Sequence, residues 1–198
     1  QGERRTAMYG VPASIEPPRK DIPAFSATGL APTRDFFTMF DVPFLHGQAW
    51  SEADDAKGAD VIVLGRETAE KLYGNTNPVG QRLMVMGFPF TIVGVAHDTK
   101  VQWLSEPPRP YFYVPHAQVY RPEYGYTVFG RTAGDVEQAA ASLRRAVASA
   151  DPSVPVYNVM PLAEYIGGPL VAQRAGVRLL GILAAVAVLL AAIGLYGV

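Results

Sequence analysis

The stretch Leu179–Val198, LLGILAAVAVLLAAIGLYGV, contains no charged residue and no proline. An α-helix rises about 1.5 Å per residue, so a helix over this stretch is about 30 Å long, the thickness of the hydrocarbon core of a bilayer. An amphipathic helix would carry a polar face. Here only Tyr196 has a polar side-chain atom, near the end, where membrane interfaces favour it. The stretch predicts a transmembrane helix, with a buried core helix as the alternative.

Two features flank or punctuate this predicted membrane helix. Small residues at Ala187, Ala191 and Gly194 permit close contact between helices in lipid, so we expect the helix to pack against others. Arg174 and Arg178 precede the apolar run. Taken alone, the positive-inside rule would place that flank in the cytoplasm.

The bulk composition excludes several classes of protein. The 198 residues include 17 Lys and Arg against 18 Asp and Glu, so no basic surface indicates a nucleic-acid partner. The chain has no cysteine, which excludes disulfides, thiolate zinc sites and thiol nucleophiles. The length suits one ordinary domain or two small lobes. Gln1 follows no initiator methionine or leader, and we interpret the chain as a piece of a larger polypeptide.

Upstream of the membrane helix, short predicted strands and helices alternate. The first two dozen residues carry four prolines and are predicted to be irregular or edge-like. Periodicity and turn residues predict the remaining strands over Ala24–Leu30, Val42–Leu45, Val61–Leu64, Arg82–Met86, Phe90–Ala96, Tyr111–Val114, Tyr126–Thr132 and Val156–Val159. Helices are predicted over Phe36–Phe40 (capped by Thr33 and Asp35), Arg66–Tyr73, Val136–Ala150 and from Leu162 onward, the last interrupted or kinked near Gly167-Gly168-Pro169.

This order of elements predicts an α+β fold, a mixed sheet with helices packed on one face. The clearest helix, Val136–Ala150, follows Asp135 as its cap and has an Ala, Leu and Val face. We expect that face to pack on a sheet that includes Val156–Val159. The stretch from about residue 98 to 125 is rich in proline and tyrosine and predicts a second lobe or an extended excursion. Its Tyr111, Phe112 and Tyr113 fit either a partner surface or core packing.

No set of side chains predicts catalysis or ligand binding. His46, His97 and His116 are widely separated, and Glu52, Asp54 and Asp55 lack the spacing of a calcium loop, so a solvated loop or a single helical turn is favoured there. Phosphate-binding glycine motifs and a serine nucleophile elbow are missing from the sequence. We therefore predict no catalytic, cofactor-binding or metal-binding residue and no cofactor, and an enzyme is the least favoured class.

Several segments, taken in order, resemble one known family. They are APTRDFFTMFDVPFLHGQ (31–48), the block 61–81 ending NPVGQ, the hairpin ending TIVGVAHD, PRPYFYVPHAQ, RTAGDVEQAAASLRRAV with DPSVPVYNV, and the tail AAIGLYGV. The chain resembles the periplasmic core domain of MacB-like and FtsX-like ABC transporter permeases from about Ala24 to Val198. Gly80, Gly94 and Pro115 match structural turn and strand-end positions of that family.

The resemblance implies a permease with four transmembrane helices and a porter-like lobe plus a smaller β-rich lobe between the first two. It implies residues 1–172 on the periplasmic side of the bacterial inner membrane and 173–198 as the start of a transmembrane helix, which places Arg178 outside, against the charge rule. The implied partners are a separate ATPase, a second permease copy, membrane lipid and a periplasmic adaptor. The implied function is coupling of ATP-driven helix motion to export or extraction of a substrate.

The alternative from another class is an independent extracytoplasmic binding or scaffold domain held by one C-terminal anchor. The gene sequence beyond Val198 separates the two, because only the permease predicts further apolar spans.

Overall fold

The computed structural model of the protein describes residues 4–97, 109–119 and 125–196. The chain divides into two compact units, Gln1–Ala133 and Gly134–Val198. Every strand of the described residues lies in the first unit: β1 (Arg4–Met8), β2 (Gly10–Glu16), β3 (Phe25–Leu30), β4 (Phe44–Gly47), β5 (Val61–Gly65), β6 (Arg82–Val85), β7 (Phe88–Ala96), β8 (Tyr111–Tyr113) and β9 (Thr127–Arg131). The helices of this unit are α1 (Asp35–Met39), α2 (Glu52–Lys57) and α3 (Arg66–Tyr73), with a 3-10 turn at His116–Val119. The second unit contains α4 (Val136–Ala150) and α5 (Leu162–Tyr196).

The main sheet of the first unit closes on itself. Its order is β4-β7-β5-β8-β3-β2-β6, and β6 also pairs with β7. Strands β5 and β7 are parallel, as are β3 and β8, while the other pairs are antiparallel. The closing ladder between β2 and β6 is short, with the register pairs Ile15–Val85 and Glu16–Met84. Strands β1 and β9 form a separate two-stranded sheet.

Two apolar clusters lie on opposite faces of this sheet. Along β5 the buried side chains alternate, with Ile62 and Leu64 in one cluster and Val63 in the other. Helix α3 contributes to the first cluster with Ala69 and Leu72. Helix α1 contributes to the second with Phe36 and Phe37, and the Phe37 ring lies 5.0 Å from the Trp50 ring and 5.3 Å from the Tyr113 ring. The predicted α+β class with a mixed sheet is confirmed, and helices contribute on both faces where the sequence indicated one.

The predicted hairpin is confirmed, but its turn is wrong: the predicted strands left residues 87–89 as the turn, whereas Phe88 and Pro89 lie in β7. Strands β6 and β7 pair from Arg82–Thr91 to Val85–Phe88, and Met86 and Gly87 join them. Both turn residues have positive φ, 52° at Met86 and 80° at Gly87. This is the backbone that matches the twist of a two-residue hairpin.

The first two dozen residues are more regular than predicted. They contain β1 and β2, and β2 is an interior strand of the closed sheet. Its side chains alternate, with Val11, Ala13 and Ile15 buried. Pro12 is tolerated because β6 reaches β2 only at Ile15 and Glu16, so Pro12 lies where the strand has one fewer neighbour.

Helix α1 is not capped as predicted. Its N-cap is Arg34, which makes no side-chain cap hydrogen bond. The Thr33 hydroxyl instead pairs with the Thr6 hydroxyl at 2.8 Å, and Asp35 is the first helical residue. Because the buried Thr6 hydroxyl pairs with the Thr33 hydroxyl, the Thr33 side chain does not cap the helix.

The second unit confirms one helix and overturns its predicted packing. Asp135 caps α4 by accepting a hydrogen bond from the Gln138 backbone N–H at 2.8 Å. Residues 156–159 form no strand, so the predicted packing of α4 on a sheet including them is wrong. Pro155 interrupts the run, and Asn158 has a φ of 53°, which breaks an extended backbone. Four small or apolar residues of α4 are half-buried, namely Ala139, Ala140, Leu143 and Val147.

The structure also bears on the predictions for α5 and for the stretch from about residue 98 to 125. Helix α5 runs without interruption from Leu162 to Tyr196, so the predicted interruption near Gly167-Gly168-Pro169 is wrong, while the alternative of a kink there stays a prediction. Much of the proposed excursion, residues 98–108 and 120–124, lies outside the described residues. In the described part of this stretch, Tyr111, Phe112 and Tyr113 are all buried. These side chains therefore pack in the core and do not form an exposed partner surface.

Candidate functional site

Helix α5 carries the clearest functional signal of the described residues. It has 35 residues and is about 52 Å long. Its segment Gly176–Ile193 is long and apolar enough to cross a bilayer, and none of that segment is buried. A soluble core helix of this composition would bury these side chains. Here Val177, Leu183 and Ile193 are 71%, 64% and 66% exposed, so the segment needs lipid or further helices as its surroundings.

The acidic residues predicted as a solvated loop or helical turn form helix α2. Ser51 and Asp54 make a reciprocal capping box, in which the Ser51 hydroxyl accepts from the Asp54 backbone N–H at 3.1 Å. In return, Asp54 Oδ2 accepts from the Ser51 hydroxyl at 2.6 Å and from the Ser51 backbone N–H at 3.1 Å. These hydrogen bonds, the hydroxyl first, hold the pKa of Asp54 below its usual range. The Asp54 carboxylate therefore takes part in capping the N-terminus of α2.

A polar cavity of about 240 Å³ adjoins this helix. It is lined by Thr33, Arg34, Asp35, Glu52 and Asp55. Asp55 Oδ1 accepts from the Trp50 indole N–H at 2.7 Å, and Asp55 Oδ2 accepts from the Arg34 backbone N–H at 3.2 Å. Both carboxylate oxygens of Asp55 thus accept hydrogen bonds from the protein, one from Trp50 and one from Arg34. Across residues 4–97, 109–119 and 125–196, no three acidic or histidine side chains are arranged to hold a metal ion.

The three histidines lie in different elements. His46 is exposed on β4, and His97 is exposed directly after β7. His116 begins the 3-10 turn, where its ring lies 5.7 Å from the ring of Tyr9 and 5.2 Å from that of Tyr126. Asp98, the sequence neighbour of His97, lies outside the described residues. His46 and His97 lie on neighbouring segments, since His46 pairs with Val95 and the His97 N–H donates to the Pro43 carbonyl at 2.9 Å, whereas His116 packs against aromatic rings.

The glycines singled out by sequence have structural reasons. Gly80 has a φ of 87°, and its N–H donates to the Ile92 carbonyl at 2.8 Å. A Cβ on Gly94 would lie 2.5 Å from the Gln48 carbonyl oxygen and 3.0 Å from the Phe44 ring. The backbones of β4 and β7 approach closely at Gly94, so only glycine fits without a shift of the neighbouring chain.

Sequence reasoning missed one exposed feature, the end of the β6–β7 hairpin. Met84, Met86 and Phe88 are 38%, 51% and 67% exposed there. No charged residue occurs between Arg82 and His97 in the sequence. The sequence from Leu83 to Phe90 is apolar throughout, and side chains of a hairpin alternate between its two faces. About half of these apolar side chains must therefore face away from the core, which would have predicted the exposed tip.

Comparison with known proteins decides the family. The model of the MacB-like periplasmic core domain matches residues 7–146, well over half of the chain. The chain belongs to the family of MacB-like periplasmic core domains. The match includes all nine described strands except the first residues of β1, and it extends into α4. The family predicted from the sequence segments is thereby confirmed.

Curated relatives include several bacterial exporters. One is the pyoverdine export ATP-binding/permease protein PvdT of Pseudomonas syringae pv. syringae, 28% identical over 171 residues. That alignment covers 82% of this chain and 26% of the relative. PvdT of Pseudomonas entomophila is 41% identical over 61 residues, 30% of this chain and 9% of the relative. The chain thus spans about a quarter of the first of these proteins.

Solved structures of low sequence identity share the fold. The periplasmic region of MacB from Actinobacillus actinomycetemcomitans superposes with a TM-score of 0.60 at 18% identity, covering 73% of this chain and 65% of that one. The extracellular domain of the noncanonic ABC-type transporter YknZ from Gram-positive bacteria gives 0.65 at 16% identity, covering 80% and 81%. Both structures share the fold of this chain, and one is a periplasmic region and the other an extracellular domain of its own protein.

Proposed function

We propose that this MacB-like chain is the extracytoplasmic domain of an ABC transporter permease together with the start of the membrane helix that drives it. Residues 1–172 lie outside the membrane and residues from 173 enter it. The observation that carries the proposal is the continuity of α5, since Gly176–Ile193 and the residues preceding it belong to one helix. A bilayer core accounts for about 30 Å of the roughly 52 Å of α5. The remainder projects into water as part of the extracytoplasmic structure.

A continuous helix can transmit movement from the membrane to the aqueous space outside it. Each residue of α5 is tied to the next turn by backbone hydrogen bonds, so a shift of the membrane segment displaces the projecting segment with it. We propose that nucleotide hydrolysis occurs outside this chain and moves the membrane helices. The domain converts that movement into work on a substrate in the extracytoplasmic space. The chain supplies coupling and contains no nucleotide-binding motif in its sequence.

The proposed assembly follows from the same reasoning. An ATPase domain or subunit acts on the permease from the cytoplasm, and a second permease copy pairs with the first. The location is the bacterial inner membrane, with an extracytoplasmic adaptor as a further partner. The exposed apolar span, with Ala187 and Ala191 one turn apart, favours packing against other membrane helices.

The test breaks the helix while leaving the domain and the span intact. In the full-length permease with its ATPase in lipid nanodiscs, a flexible insertion of seven glycine and serine residues is placed after Leu170, between the projecting part of α5 and the span Gly176–Ile193. A matched control inserts seven alanine- and glutamate-rich residues there, which adds about two helical turns and keeps the helix facing. Spin labels at Ser153→Cys report the distance between the two copies with and without ATP and vanadate.

The expected result is an ATP-dependent change in the label distance that the helical insertion retains and the flexible insertion abolishes, while ATP hydrolysis continues in both. An unchanged distance in the uninserted protein would overturn the coupling role. An equal distance change with the flexible insertion would show that α5 does not carry the movement.

A further inference from the structure

We draw no further inference here: the strongest candidate, the uncharged tip of the β6–β7 hairpin with its exposed Met84, Met86 and Phe88, carries nothing because nothing in the structure shows what covers it.

Discussion

Trp50 donates its indole N–H to Asp55 Oδ1 across 2.7 Å, and this hydrogen bond joins the start of α2 to the aromatic cluster under α1. The Trp50 side chain is almost fully buried, at 1% exposure. Its N–H has no access to water, so its acceptor must come from the protein.

Asp55→Ala is expected to destabilise the fold by about 1–3 kcal/mol, because the buried indole N–H loses its acceptor. Asp55→Asn keeps one carbonyl oxygen and should lose less than half as much. The measurement is equilibrium urea unfolding of the chain in mild detergent, followed by tryptophan fluorescence. Equal losses in the two variants would contradict the stabilising role of the Trp50 hydrogen bond, since Asp55→Asn retains an oxygen that can accept it.

Gly94→Ala is expected to destabilise by about 1–3 kcal/mol, since its new methyl group would press on the Gln48 carbonyl and the Phe44 ring. Gly130 is the matched control, because it also lies in a strand, β9, and a Cβ there meets nothing within 4 Å. Gly130→Ala should be neutral or slightly stabilising. Thermal unfolding in detergent separates them, and similar melting temperatures would contradict the close approach of β4 and β7.

Met86→Asn is expected to stabilise the hairpin by about 0.5–1 kcal/mol. Met86 has a left-handed φ of 52°, and asparagine followed by glycine is strongly preferred in such two-residue turns. Met84→Asn, on the adjoining exposed strand position, leaves the turn unchanged and should give no gain. Urea midpoints of the two variants provide the comparison, and a loss of stability in Met86→Asn would mean that the methionine side chain itself stabilises the fold.

The lowered pKa of Asp54 predicts that the fold loses stability in acid. Hydrogen bonds from Ser51 lower the pKa of Asp54 in the folded chain, so folding favours the ionised form. That contribution is present above the unfolded pKa, near 3.8, and is lost as pH falls through the lower folded pKa. Asp54→Asn should therefore melt below wild type at pH 7, and the gap should narrow as pH approaches 3. A gap that stays constant with pH would contradict the role of the ionised carboxylate.

The proposed topology predicts which residues water-soluble reagents can reach. The chain has no cysteine, so a single substitution gives a unique label once cysteines elsewhere in the full-length protein are replaced. Ser153→Cys should react with a membrane-impermeant maleimide in intact spheroplasts. Leu183→Cys, within the apolar segment, should resist the reagent. Reaction of Ser153→Cys only after permeabilisation would reverse the proposed orientation.

Local periodicity was sufficient for much of the fold. The wholly apolar VIVL at 61–64 indicates a strand covered on both faces, and the two clusters on either side of β5 confirm it. The alternation in Tyr111, Phe112 and Tyr113 likewise sends Phe112 to one cluster and Tyr113 to the other. Helices α3 and α4 begin and end where glycine, proline and Asp135 indicate.

The errors arose where distant segments or special backbone decide. The prolines of the first two dozen residues predicted an irregular or edge-like segment, and only the position of β6 shows why Pro12 is accepted in the interior strand β2. VPVYNV at 154–159 has strand-like residues without a strand, because nothing local reveals whether a pairing partner exists. The candidate site depended least on folding detail, since an uninterrupted apolar run indicates a candidate membrane span by its length and composition.

The closed main sheet has two short ladders, because β5 and β8, like β2 and β6, are joined by two register pairs. The ladder between β2 and β6 has two register pairs, whereas β2 and β3 share six and β5 and β7 share five. Backbone amides of these two ladders should exchange with deuterium before those of the longer ladders, and a strand-like segment of another molecule could enter the sheet at the β2–β6 ladder or along the outer strand β4. The resistance of this sheet to opening and misassembly therefore depends on two ladders of two residue pairs each.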